Sequence, residues 1–141
     1  MADLKRFKDA QAGIYDKVLQ ELRAGKKQSH WMWFIFPQLS GLGSSVTSER
    51  YAIHSLNEAR EYCADAVLYD RLALCCDLML KHKNQSARDV LGYPDHLKLR
   101  SSMTLFAKAD PEDPIFQEVL DAFFDGAPDP LTLEILEYKE C

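Results

Sequence analysis

Among the four histidines of this chain, His30 is the strongest candidate for proton transfer. It follows Ser29 and precedes Trp31, and burial beside aromatic rings tunes an imidazole across neutral pH. If the protein is an enzyme, His30 is its general acid or base; a histidine at a helix start serves structure equally well. A short way on, Gly41-Leu-Gly-Ser-Ser45 turns the backbone tightly and leaves amides free to face a ligand. Ser44, Ser45, Thr47 and Ser48 add hydroxyls just before the helix that carries Tyr51. Amides and hydroxyls at a helix start suit a phosphate or carboxylate. The same residues also make an ordinary capping turn. The string is neither a dinucleotide fingerprint nor a P-loop, because no strand precedes it and no Gly-Lys-Ser/Thr follows.

A second polar cluster is Lys98-Leu-Arg-Ser-Ser-Met-Thr104. Two cations, two serines and a threonine interrupt an apolar helical stretch. On a helix, Lys98, Ser101 and Ser102 share one side, and Arg100 and Thr104 share another. Either this is a half-exposed helix face, or one side closes over an anion held by the first loop. The aromatic run between His30 and the glycines contains both tryptophans. Trp33, Ile35 and Phe36 read as core, while Trp31 or Trp33 is available to stack on a ring. Gln11 and Gln38 are the amides that would read a ligand's polar edges. No His/Cys/Asp/Glu set has metal spacing, so no metal is expected, and no motif calls for a cofactor. No nucleophile elbow is present. Glu49 and Glu58 flank the loop but read as ordinary helix residues.

These groups must be positioned by helices. Leu4, Phe7, Gln11, Ile14, Val18 and Leu22 follow a three-four spacing, which predicts one long first helix with Asp3 at its start and Gly25 at its end. Residues 31–36 form either a two-turn buried helix or a strand; the lack of a partner strand favours helix. Thr47 or Ser48 caps a short helix through Tyr51 to His54. Ser55-Leu-Asn-Glu58 is a capping-box pattern. Asp65 caps a helix carrying Val67, Leu68, Leu72, Cys75, Leu78 and Met79, and Ser86 opens a short turn ending at Gly92. Asp95 begins a segment through about Ala107. Asp113-Pro114 and Asp129-Pro130 each set a capping carboxylate before a first-turn proline. Gly126 closes the first of these two. The fold expected is all-α: a single compact orthogonal bundle of about six to eight helices spanning residues 1–141.

Size and charge bound the functions. A chain of 141 residues fits one domain with a real core. Mean hydropathy is −0.29, and no apolar run approaches a membrane span. The N-terminus has no apolar signal core. Cys63, Cys75, Cys76 and Cys141 read as free thiols in a reducing cytoplasm. Net charge is −5, but unevenly spread. Residues 1–35 carry seven Lys/Arg against four Asp/Glu, and residues 106–141 carry two against ten. The acidic end argues against nucleic acid as a partner, though it leaves room for a local anion site near the basic half.

The motifs taken together resemble a family. Arg6-Phe7 with Ala10-Gln11 comes first, followed by Ser29-His-Trp-Met-Trp-Phe-Ile-Phe-Pro-Gln-Leu39, Gly41 to Ser45, Tyr51-Ala-Ile53 and Glu58-Ala59. Asp95 to Lys98, Ser101 to Phe106, Phe123-Phe124, Gly126 and Thr132-Leu133 complete the set. The chain resembles the bacterial domain-of-unknown-function family 1810 along nearly its whole length. The resemblance implies a helical cytosolic protein and carries over no catalytic residue. It supports a link between the first polar loop and the Lys98 to Thr104 segment, and it adds the Arg6/Gln11 edge. Two functions follow as expectations. One is a pocket for a phosphorylated small molecule, a nucleotide or an ADP-ribose-like compound. The other is a non-catalytic interaction module with an aromatic groove, its acidic third steering a basic partner.

Overall fold

Serine and aspartate caps define four of the helix starts. Ser45 accepts from the amide of Ser48, Ser55 from Glu58, Asp65 from Val67 and Leu68, and Ser86 from Asp89. The computed structural model describes residues 3–43 and 45–140. Ser44 and Cys141 lie outside the described residues. In chain order the helices are α1 (Lys5–Ala12), α2 (Tyr15–Ala24), α3 (Met32–Ile35), α4 (Val46–Arg50), α5 (Leu56–Ala64), α6 (Ala66–Leu80), α7 (Ala87–Leu91), α8 (Asp95–Ala109), α9 (Ile115–Phe124) and α10 (Pro130–Glu140). The described residues contain no strand; Leu39 and Ile53 make an isolated parallel bridge. None of these helices is long and apolar enough to cross a membrane.

The fold class read from the sequence holds, with ten helices among the described residues in place of six to eight. The long first helix is two: the apolar stripe continues across Gly13, but Ile14 leaves helical geometry and the chain restarts at Tyr15. The helix after the glycine turn begins earlier than expected, with Ser45 and not Thr47 or Ser48 as its cap. Ser48 supplies the reciprocal arm of that capping box. Asp3 makes no side-chain cap to α1, whereas Gly25 ends α2 in the left-handed region at φ 74°. A side chain at Gly25 would also meet the His82 imidazole at 3.0 Å, and that ring sits 2.7 Å from the Leu22 carbonyl. Glycine there lets α2 end against the turn that follows α6.

The core is built around α8, which packs on α5, α7, α9 and α10. A run of rings crosses it: Phe7 to Tyr62 at 5.2 Å, Tyr62 to Phe106 at 5.2 Å, and Phe106 to Phe116 at 5.6 Å. Gln11 is buried among them, donating to the Phe34 carbonyl at 2.7 Å and to the Tyr62 hydroxyl at 3.2 Å, and accepting from Arg71 at 3.2 Å. Its hydrogen-bonding capacity therefore goes to folding.

Glu21 is a buried carboxylate that organises the approach to α3. It accepts from the amides of Gln28 (2.7 Å) and Ser29 (2.9 Å), from the Ser29 hydroxyl (2.6 Å) and from the Trp31 indole (3.0 Å). Burial would push its carboxyl up. The Ser29 hydroxyl, the two amides and the indole more than reverse this and hold it at about 2, below its ordinary 4.5. A depressed folded value means that the ionised group stabilises the fold fully above pH 4.5, and that this contribution fades as the pH falls towards 2. Glu21→Gln is therefore expected to lower unfolding free energy by about 2 kcal/mol at neutral pH. In urea unfolding across pH, the gap between the wild type and this variant narrows below pH 4.5. A gap that stays constant to low pH contradicts the assignment.

Candidate functional site

Because Glu21 fixes Trp31 in the core, the next residues of the run lie on a defined side. Trp31 is fully buried, and Trp33, two positions on, is half-buried on the wall of a cleft of about 450 Å³. The other walls come from Gln38, the turn at Leu42, Gly43, Ser45 and Ser48, the start of α8 (Pro94, Leu97, Lys98, Ser101), and the start of α10 (Asp129, Leu131). The turn is held at its base by the isolated bridge: the Ile53 amide donates to the Gln38 carbonyl and the Ser40 amide to the Ile53 carbonyl, both at 2.8 Å.

Charge on one wall is organised by Asp95. Its carboxylate pairs with Lys27 at 2.8 Å and Lys98 at 3.2 Å. Each ammonium also faces a tryptophan, Lys27 at 5.1 Å from the Trp31 ring and Lys98 at 4.9 Å from the Trp33 ring. Burial would raise the Asp95 carboxyl; the Lys27 ammonium and then Lys98 outweigh it and hold it below the ordinary 3.8. One carboxylate between two ammoniums leaves one net positive charge, and the less buried member, Lys98, delivers it to the cleft. An ammonium has three donors. Lys98 gives one to Asp95.

The wall at the start of α10 is acidic. Asp129 Oδ2 accepts from the Ser101 hydroxyl at 2.9 Å, from the Thr132 amide at 3.2 Å and from the Thr132 hydroxyl. The Asp129 amide donates to the Thr104 hydroxyl at 2.8 Å. Arg100 holds the preceding carbonyls of Ala127 (3.0 Å) and Pro128 (2.9 Å). The acidic residue at the base of α10 is thus fixed from both sides.

The candidates named from the sequence divide clearly. Gln38, Gly43, Ser45, Lys98 and Ser101 meet in the cleft, so the first loop and the Lys98 segment do come together. Ser45 is spent on the cap: its hydroxyl and amide bond Ser48, whose hydroxyl donates to the Ser45 carbonyl at 2.8 Å. Gly43 is needed for that packing, since a Cβ there would lie 2.5 Å from the Ser48 hydroxyl oxygen. Ser44 is outside the described residues. Trp31 is unavailable for stacking, being buried with its N–H on Glu21. Trp33, read both as core and as the alternative for stacking, is half-buried and lines the cleft. His30 is exposed in the turn before α3 and does not line the cleft. Arg100 and Thr104 support the α9–α10 connection. Ser102 is fully buried, and among the described residues its hydroxyl has no hydrogen-bond partner. Arg6 and Tyr51 line a separate cleft with Lys5, Asp9 and Arg50. There the Arg6 guanidinium is committed to the carbonyls of Asp3, Arg50 and Ala52 and to Glu58 at 3.1 Å. Gln11, as above, is a core residue.

Sequence reasoning missed Asp129 as a site residue. Its one signal, Asp before Pro, reads as a helix cap, and it is one as well. Among the described residues no cluster of three or more His, Cys, Asp or Glu is arranged to hold a metal ion. Cys75 and Cys76 are buried and Cys63 half-buried, all free. Burial pushes the Cys63 and Cys75 thiols up to about 12, which leaves them unreactive at neutral pH.

These features define a class: an all-helical domain with a cleft of mixed polarity between a glycine turn and a central buried helix. The chain belongs to the family described as protein of unknown function (DUF1810), whose model matches residues 1–136. It is similar to the conserved hypothetical protein Rv1873 from Mycobacterium tuberculosis, solved by crystallography at 1.38 Å, with 47% identity over 96% of each chain and a TM-score of 0.94. No curated protein matches the chain.

The placement of the two tryptophans gives a direct check. In Trp33→Phe the remaining indole, Trp31, is expected to emit in the blue and to resist acrylamide. The wild type is expected to retain a readily quenched component. Strong quenching of the Trp33→Phe emission contradicts the assigned geometry.

Proposed function

We propose that the protein binds a phosphorylated small molecule with a flat ring, of the nucleotide or ADP-ribose kind, in the cleft between the glycine turn and α8. The observation that carries this reading is the Lys98 ammonium 4.9 Å from the half-buried Trp33 ring on one cleft wall. Charge for a phosphate and aromatic surface for a ring occur together. The ammonium keeps donors to spare, and the Gln38 side-chain amide, with no partner among the described residues, offers both a donor and an acceptor. Leu42, Leu97 and Leu131 supply apolar wall. The reading is one of binding and assigns no reaction, since His30 lies off the cleft. The free thiols suit a reducing cytoplasm.

A second reading, a non-catalytic interaction module using this face as an aromatic groove, is favoured by the rim. Val46 beside Ser45, Leu97 and Leu131 are all exposed. The ligand screen separates the two.

Ligand present at about a hundred times its Kd stabilises a fold by about 2.7 kcal/mol, a rise of several degrees in Tm. AMP, ADP, ADP-ribose and ribose 5-phosphate are expected to include compounds that raise Tm in this way. Lys98→Ala is expected to weaken them about tenfold. No shift from any of the four with a cooperatively folded sample, or shifts unchanged in Lys98→Ala, contradicts the proposal.

A further inference from the structure

The Asp129 carboxylate has one oxygen spent and one unspent. All three of its donors, the Ser101 hydroxyl, the Thr132 amide and the Thr132 hydroxyl, fall on Oδ2. Oδ1 has no donor among the described residues, and Asp129 lines the cleft. The group cannot easily turn away, because its own amide is held by Thr104 at 2.8 Å and Arg100 clamps the two preceding carbonyls. A carboxylate held in this way presents a rigid acceptor with negative charge. It repels a phosphate and accepts from a hydroxyl or an N–H. The positive pole lies nearby along α8: Lys98 and Ser101, the residue that holds Asp129, are three apart, which is less than one helical turn of about 5.4 Å.

Resting on the ligand-binding reading above, we infer that Asp129 is the specificity-determining residue of the cleft and that its ligand is a ribose phosphate with free vicinal hydroxyls. The phosphate sits at Lys98 and the diol donates to Asp129 Oδ1. A sugar phosphate carries both groups on one small ring, matching the two poles. A carboxylate accepting from ribose hydroxyls is a general solution to sugar recognition. Inorganic phosphate satisfies only the Lys98 end. Ligands with a second phosphate on the diol are rejected by charge.

Two pairs of probes test this by isothermal titration calorimetry: ribose 5-phosphate against 2-deoxyribose 5-phosphate, and AMP against its 2′,3′-dideoxy analogue. The wild type is expected to prefer the hydroxylated member of each pair at least about tenfold, because a site built to bond a hydroxyl rejects the analogue that lacks it. Asp129→Asn keeps the size of the side chain, and in it the preference is expected to fall below about threefold. If that variant does not fold, the wild-type preference alone decides. Equal wild-type affinity within each pair, with binding still dependent on Lys98, overturns this inference and leaves the broader reading standing. No binding of any of the four probes overturns this inference, and the broader reading falls with it only when ADP and ADP-ribose also leave Tm unmoved.

Discussion

Glu21 holds four donors at once, and the position of the cleft depends on that carboxylate. Its oxygens take the amides of Gln28 and Ser29, the Ser29 hydroxyl and the Trp31 indole. Burying a carboxylate costs several kcal/mol unless its lone pairs are met. Here four charge-assisted bonds meet them, so the chain between α2 and α3 has one favourable path. With Trp31 turned inward, Trp33 is left at the surface of the core, and Lys27 is brought against Asp95 at the start of α8. The same carboxylate thereby sets α2, α3 and α8 in register.

Asp95 extends the constraint. It joins Lys27, whose side chain is almost fully buried, to Lys98, whose side chain is a quarter exposed. A buried ion pair is at best a modest source of stability. Its consequence here is geometric: a third charged group carries the excess of the network to a surface where a ligand can meet it. The glycine turn contributes shape more than chemistry. Its hydroxyls close a capping box on themselves, and Gly43 exists to let Ser48 approach.

Much of this was legible in the chain. Caps at Ser55, Asp65 and Ser86, and the left-handed glycine at position 25, were readable because a cap is a local contract between a side chain and amides three residues away. The pairing of the glycine turn with the Lys98 segment was also readable, since both place polar groups in apolar surroundings. Trp31 and Trp33 both read as stacking candidates, and only Trp33 lines the cleft. The aromatic run forms a single helical turn, and which ring faces inward is decided by Glu21, ten residues before Trp31. Asp129 was missed for a similar reason. Its partner Ser101 is 28 residues away, and the sequence signal it does carry is that of a cap. The break at Gly13 was hidden because the apolar spacing runs straight through it.

A crystal structure grown with ADP-ribose tests most directly whether the cleft between the glycine turn and α8 takes a phosphorylated ring compound. Density is expected in that cleft, with a phosphate oxygen within hydrogen-bonding distance of Lys98 Nζ and a ring packed on Trp33. Density in the Arg6–Tyr51 cleft instead, or an empty cleft at saturating ligand, contradicts it.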